Sequence, residues 1–288
     1  MIKKGIILAG GTGSRLSPLT KVINKQLLPL FDKPLIFYPL SILMLAGIKD
    51  ILIIVNQHQK SSFQKILGNG KSFGIKISYL EQKKPGGLPE AFIIGESFIK
   101  NDNVALILGD NFFYGQGFTK RLSKIIKKNS GATIFAYNVK NPERYGIVNF
   151  NKKNKILNIE EKPKKPKTNY AVTGLYFFDK RVVEFSKKIK PSARGELEIV
   201  DVIKRYLKIN KLSLEFIGRG GAWLDAGDPK DLFDASLFVA SIEERQNLKI
   251  ACLEEIAFNK GWINKNSLRD RIKFYGKCKY SDYLKNIL

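Results

Sequence analysis

The stretch Gly5-Ile6-Ile7-Leu8-Ala9-Gly10-Gly11-Thr12-Gly13-Ser14-Arg15-Leu16 decides the architecture. The apolar run from Gly5 to Ala9 has the length of a buried strand, and it runs directly into glycines. Three glycines within four residues let the backbone approach a ligand and turn its N–H groups toward it. Arg15 adds fixed positive charge, and Lys25 follows in Lys25-Gln26-Leu27-Leu28-Pro29. Such a loop at the carboxyl end of a strand suits phosphates. Two common phosphate motifs fail here: a dinucleotide fingerprint would need glycine at residue 16, which is Leu, and a Walker A loop would need Gly-Lys-Ser/Thr.

Outward from this loop, strand-length apolar runs at Ile51 to Val55, Lys76 to Leu80, Val104 to Leu108 and Thr133 to Asn138 alternate with helical patterns. These lie at Leu35 to Ala46, Lys60 to Leu67, Pro89 to Ile99 and Phe118 to Lys128. The alternation predicts βα units on a mostly parallel, Rossmann-like α/β sheet flanked by helices. Between residues 141 and 180, Pro142, Gly146, Pro163 and Pro166 punctuate short alternating segments, which predicts a β-rich insertion over one sheet edge. Further on, Glu198 to Ile209 and Pro229 to Arg245 read as helices, Leu214 to Ile217 as a strand, and the last 40 residues as a helical C-terminal appendage. The expected division is residues 1–248, with parts of about 1–140 and 141–228, followed by 249–288.

The 288 residues are 44% hydrophobic and 26% charged, which excludes disordered and low-complexity classes. Two cysteines, Cys252 and Cys278, and one histidine, His58, leave little material for a disulfide framework, a His-based zinc site or a Ser-His-Asp relay. The apolar N-terminal run is too short for a signal-peptide core or a membrane span, so a cytoplasmic protein is expected. The net charge of +24 comes mostly from lysines spread along the chain, with no basic tail or Arg-rich stripe. Neither a nucleic acid nor a membrane is therefore expected as a partner.

The loop together with Pro18-Leu19-Thr20 and Lys25-Gln26-Leu27-Leu28-Pro29 resembles the signature of the sugar-nucleotide pyrophosphorylases, a nucleotidyltransferase family. The similarity continues through Leu108-Gly109-Asp110-Asn111, Pro142-Glu143-Arg144-Tyr145-Gly146, Glu160-Glu161-Lys162-Pro163, Asn169-Tyr170-Ala171-Val172-Thr173-Gly174 and Trp223-Leu224-Asp225. The set is most similar to the branch that joins dTTP to glucose 1-phosphate. Uridylyl or cytidylyl transfer to glucose 1-phosphate, and a nucleotide-sugar sensor without turnover, are the alternatives. Such transfer requires positioning and charge neutralisation and no protein nucleophile, in keeping with a chain so poor in Cys and His.

The resemblance implies Mg²⁺ on Asp110 and Asp225, since that ion needs one or two carboxylates plus phosphates. It places Arg15, Lys25 and Lys162 among the catalytic groups, with Lys162 on the sugar phosphate. Leu8, Gly10, Gly11, Thr12, Gly13, Gln26, Gln82, Pro85 and Gly87 are implied on the nucleotide side, with Gln82 and Gly87 at the base. Asn111, Tyr145, Gly146, Glu161 and Val172 are implied at the hexose. It further implies a homotetramer with dTDP-L-rhamnose as feedback inhibitor, bound near Gly218, Arg219, Ile250, Ala251, Glu254 and Glu255. Trp223 reads as packing and His58 as a surface loop residue. Gly86-Gly87-Leu88-Pro89-Glu90-Ala91 stands where the family usually has Gly-Leu-Ala-Gln-Ala, a departure beside the base pocket.

Overall fold

The computed structural model describes residues 1–288. In chain order the strands are β1 (Lys4–Ala9), β2 (Pro29–Leu30), β3 (Lys33–Pro34), β4 (Asp50–Asn56), β5 (Lys76–Gln82), β6 (Val104–Leu108), β7 (Asn111–Gly115), β8 (Ala132–Asn138), β9 (Gly146–Phe150), β10 (Ile156–Glu161), β11 (Tyr170–Phe178), β12 (Leu212–Phe216) and β13 (Gly221–Asp225). The helices are α1 (Phe37–Ala46), α2 (Lys60–Leu67), α3 (Glu90–Ile94), α4 (Glu96–Ile99), α5 (Phe118–Lys128), α6 (Val182–Lys187), α7 (Ile199–Lys208), α8 (Pro229–Gln246), α9 (Leu253–Asn259), α10 (Lys265–Tyr275) and α11 (Lys279–Asn286).

One nine-stranded sheet organises the chain, in the order β10-β9-β11-β6-β1-β4-β5, with β8 paired to β11 and β12 to β8. Strands β6, β1, β4 and β5 run parallel, in a register that sets Ile6 beside Leu52 and Leu106. Both faces of these strands are covered. Ile7, Ile53 and Ile107 join one apolar cluster with residues of α1 and α5, whereas Ile6, Leu52 and Leu106 join another with residues of α3 and α7. Burial on both faces explains why these strands read as unbroken apolar runs. Helix α1 is almost wholly apolar and buried nearly all round, as a helix wedged beneath a sheet must be.

The parallel α/β expectation holds, and three local expectations change. The segment from Gly146 to Phe178 does not lie over a sheet edge; β9, β10 and β11 extend the central sheet, with β11 antiparallel to β6. The single helix expected over Pro89 to Ile99 is two short helices meeting at Gly95. Strands β7 and β13, unforeseen from sequence, form a separate antiparallel ribbon in which Asp225 faces Asn111. No helix is long and apolar enough to cross a membrane.

Helices α9 to α11 close the chain as expected. Gly74 lies against Trp262, and the Arg271 guanidinium sits 4.7 Å from the centre of the Phe73 ring, so these helices pack directly on the segment before β5. His58 lies exposed at a left-handed turn after β4.

Candidate active site

The carboxyl ends of β1, β5 and β6 open into a cavity of about 630 Å³. One wall follows from the glycine loop. A Cβ on Gly10 would lie 2.1 Å from Gln82 Oε1, so any larger residue there would displace the Gln82 amide. Gly13 has φ +63°, a left-handed conformation natural to glycine, and its carbonyl accepts a bond of 2.8 Å from Thr20 Oγ1. The following turn, Ser14–Leu16, points Arg15 into the cavity, where Leu8, Gly11, Gln82, Pro85 and Gly87 also line the wall. Thr12, Gly13 and Gly10 shape the loop behind this wall without lining it.

At the centre stands a carboxylate pair. Asp110 follows β6, and Asp225 ends β13; the β7–β13 register, with a 3.1 Å bond from Ala226 N–H to the Asp110 carbonyl, brings the two together. Lys25 Nζ lies 2.5 Å from Asp110 Oδ2, and Asn111 Nδ2 donates to Asp110 Oδ1 at 2.9 Å. Arg15 and the Asp225 carboxylate both face Gly227. Burial, and then the charge of Asp110, push the Asp225 carboxyl up to about 7, against the pull of Lys25 and Arg15. Two neighbouring carboxylates are oxygen donors of the kind a hard divalent cation uses when phosphates supply the rest of its shell.

Lys25 itself does not reach the cavity surface; it is buried and holds Asp110. Gln26 is likewise buried beside Gly109, with its Oε1 unpartnered.

The opposite wall is built from β9 to β11. Asn111, Tyr145, Gly146, Glu161, Lys162 and Val172 all line it, joined by Glu196. Asn111 Oδ1 accepts from Trp223 Nε1 at 2.6 Å and from Gly174 N–H at 3.0 Å, so this side chain holds the framework of the site as well as facing it. Lys162 leaves β10 in a left-handed conformation, φ +43°, and its N–H donates to the Tyr145 carbonyl at 3.0 Å. A non-glycine residue so placed at a cavity wall is the kind of strain that collects at functional sites. Burial, and then the charge of Glu198, raise the Glu161 carboxyl, while Arg194 at 3.1 Å and Lys162 oppose the shift.

Among the wall residues that carried no expected role are two arginines, Arg144 and Arg194, while Trp223, expected to pack, also lies on the wall. Arginine scarcity could have found the two arginines, because only ten arginines occur in the chain and three of them, Arg15, Arg144 and Arg194, line this one cavity. Trp223 packs edge-on against Tyr137 and Tyr145 as expected of a packing residue, and it also reaches the cavity.

Within a single chain, the six residues expected at a second site do not line one cavity. Ile250, Ala251 and Glu255 line another cavity of about 460 Å³, together with residues of α1 and β7. Gly218 and Arg219 are exposed and absent from its lining. Glu254 is turned inward and wholly buried, where it binds Arg271, Tyr275 and Tyr280, so its carboxylate is not available to a ligand.

The fold and this cavity are those of a nucleotidyl-transferring enzyme. The family model for nucleotidyl transferases matches residues 4–242, and the chain belongs to that family. Its relatives are more particular. It is 55% identical over 285 residues to the glucose-1-phosphate thymidylyltransferase of Neisseria meningitidis serogroup A, covering 99% of each chain. It is 48% identical over 285 residues to that of Mycobacterium tuberculosis, again with 99% of each chain covered. A crystal structure of a candidate glucose-1-phosphate thymidylyltransferase from Bacillus anthracis, in complex with sucrose, superimposes with a TM-score of 0.76 at 42% identity, covering 82% of this chain and 94% of that one. A UDP-glucose pyrophosphorylase complexed with UDP-glucose gives a TM-score of 0.73 at 26% identity, covering 85% of this chain and 100% of that one.

Proposed function

We propose that the chain transfers the thymidylyl group of dTTP to α-D-glucose 1-phosphate, giving dTDP-glucose and pyrophosphate. The observation that carries this reading is one cavity with the glycine loop and Arg15 on one wall, the Asp110–Asp225 pair at its centre, and Glu161 and Lys162 on the other. An oxygen of the sugar phosphate attacks the α-phosphorus in line; that P–O bond forms as the bond to the bridging oxygen breaks, and pyrophosphate leaves with the electron pair. Loop N–H groups and Arg15 hold the triphosphate and meet the charge that builds on the leaving group. Lys162 holds the incoming phosphate, and Lys25 keeps Asp110 oriented. A divalent cation, Mg²⁺ in this reading, would be held by Asp110 and Asp225 and would neutralise phosphate charge.

The thymidylyl reading is preferred to uridylyl transfer because relatives of that name share 48% and 55% identity, against 26% for the UDP-glucose pyrophosphorylase. Pyrophosphate release measured over dTTP, UTP, dCTP and dATP with several hexose 1-phosphates tests it: dTTP with glucose 1-phosphate should be the best pair, and a clear preference for another nucleotide would refute the assignment. Lys162→Ala should raise the KM for glucose 1-phosphate about tenfold or more, the loss of a charged hydrogen bond. Calorimetry should show dTTP affinity within about twofold of the unmodified protein; loss of dTTP affinity with glucose 1-phosphate use intact would reverse the assignment.

In the same reading the nucleotide part is about residues 1–140, the sugar part about 141–228, and residues 249–288 serve assembly. A homotetramer inhibited by dTDP-L-rhamnose, working in the cytoplasm, belongs to this proposal too. The second cavity, lined by Ile250, Ala251 and Glu255, supports a place for such an effector.

A further inference from the structure

We propose that Glu90 is a positioning residue for base selection: it locks the side-chain amide of Gln82 with its carbonyl oxygen toward the base site, so that only a base bringing an N–H there is accepted. Gln82 ends β5 and is buried, yet it lines the cavity. Its Nε2 donates to Glu90 Oε2 at 2.5 Å, and the same oxygen accepts the Gly86 N–H at 2.8 Å. An ionised carboxylate only accepts hydrogen bonds, so the amide can meet Glu90 only through its NH₂ group. Gln82 Oε1 is thereby turned toward the Gly10 backbone, and no donor of the protein reaches it.

The lock is itself held in place. Gly87 has φ +101°, and a Cβ there would lie 2.1 Å from the Leu197 carbonyl oxygen; the Leu197 N–H donates to the Gly86 carbonyl at 2.9 Å. The loop whose Gly86 N–H donates to Glu90 is thus clamped to the far wall of the cavity. Pro89 precedes Glu90 at the start of α3, where a carboxylate is well placed.

The consequence is chemical. Thymine and uracil carry a hydrogen on N3, which Gln82 Oε1 can accept. Cytosine presents a lone pair at N3 and adenine one at N1, so either would set acceptor against acceptor, an arrangement that a site built for a hydrogen bond rejects strongly. The lock does not distinguish thymine from uracil. This inference rests on the proposed reading of Gln82 as a base-facing residue.

Steady-state kcat/KM for dTTP, UTP, dCTP and dATP, with the same sugar phosphate, tests it in the unmodified protein and in Glu90→Gln, Glu90→Ala and Gln82→Ala. In the unmodified protein dTTP should exceed dCTP by at least about 100-fold. Glutamine at residue 90 can donate as well as accept, so the Gln82 amide becomes free to flip, and the dCTP to dTTP ratio should rise about tenfold, with the KM for the sugar phosphate unchanged. Glu90→Ala should move the ratio in the same direction and serves if Glu90→Gln folds poorly. A ratio that stays fixed in both Glu90 variants, or an equal loss for all four nucleotides, would overturn the lock. If Gln82→Ala also left the ratio unchanged, the base-facing reading of Gln82 would fall with it; if Gln82→Ala alone moved it, only the lock would fall.

Discussion

Asp110→Asn and Asp225→Asn should each lower turnover by at least about 100-fold, with secondary structure by circular dichroism unchanged. Each replacement keeps the volume of the side chain and removes one negative charge from the centre of the cavity. In the proposed reading the pair holds a cation. The Asp225 carboxyl is pushed up to about 7 by burial and then by the charge of Asp110, so a cation placed beside it would favour its ionised form. A donor set reduced to one carboxylate and one amide holds a hard cation less well and leaves phosphate charge uncompensated. The two variants differ in one respect: Asp110→Asn also leaves Lys25, 6% exposed, without its carboxylate, so it should lose thermal stability that Asp225→Asn retains. Turnover within a few-fold of the unmodified protein in either variant, at saturating nucleotide and sugar phosphate, would refute the two-carboxylate arrangement.

Glu254→Ala should destabilise the protein by about 3–5 kcal/mol, read from urea unfolding at neutral pH, because it leaves a buried guanidinium without its counter-charge. The carboxylate is fully buried, lies 3.0 Å from Arg271 Nε, and accepts from the Tyr275 and Tyr280 hydroxyls at 2.8 Å each. Arg271 in turn stacks near the rings of Phe73, Phe274 and Tyr275. Removing the acid therefore unsettles both the packing among α9, α10 and α11 and the contact of α10 with Phe73. Glu254→Gln keeps the shape and an acceptor and should cost less, about 1–3 kcal/mol. Equal stability of all three proteins would show that the buried network contributes nothing net.

What the sequence made legible follows the length scale of the interactions. The glycine loop is a local signal, three glycines and an arginine after a strand, and every argument about it needed only neighbouring residues. The parallel strands were legible because burial on both faces leaves unbroken runs such as Val104 to Leu108. The ribbon of β7 and β13 was not, because each strand has five residues and its only partner lies far away in the chain. Strand β11 was masked by Thr173 and Gly174 in its middle, which interrupt an otherwise apolar segment. Glu254 misled for a related reason. An acid in the first turn of a helix ordinarily faces water, and the three residues that draw it inward come from two other helices. Glu90 was legible as a helix-start residue, whereas its grip on Gln82 depends on a loop bent back by Gly87.

The β7–β13 ribbon also sets an order of events for the growing polypeptide. The bond from Trp223 to Asn111 spans 112 residues, and Asp225 lies beyond even that point. Closing so long a loop has to be accomplished before its contacts return anything, which makes such pairings late in folding. A chain that has emerged only as far as β12 carries the glycine loop, Asp110 and the β9–β11 side of the cavity, and is without Trp223 as well as Asp225. In the proposed reading, the pair of carboxylates is therefore complete only once β13 has paired with β7.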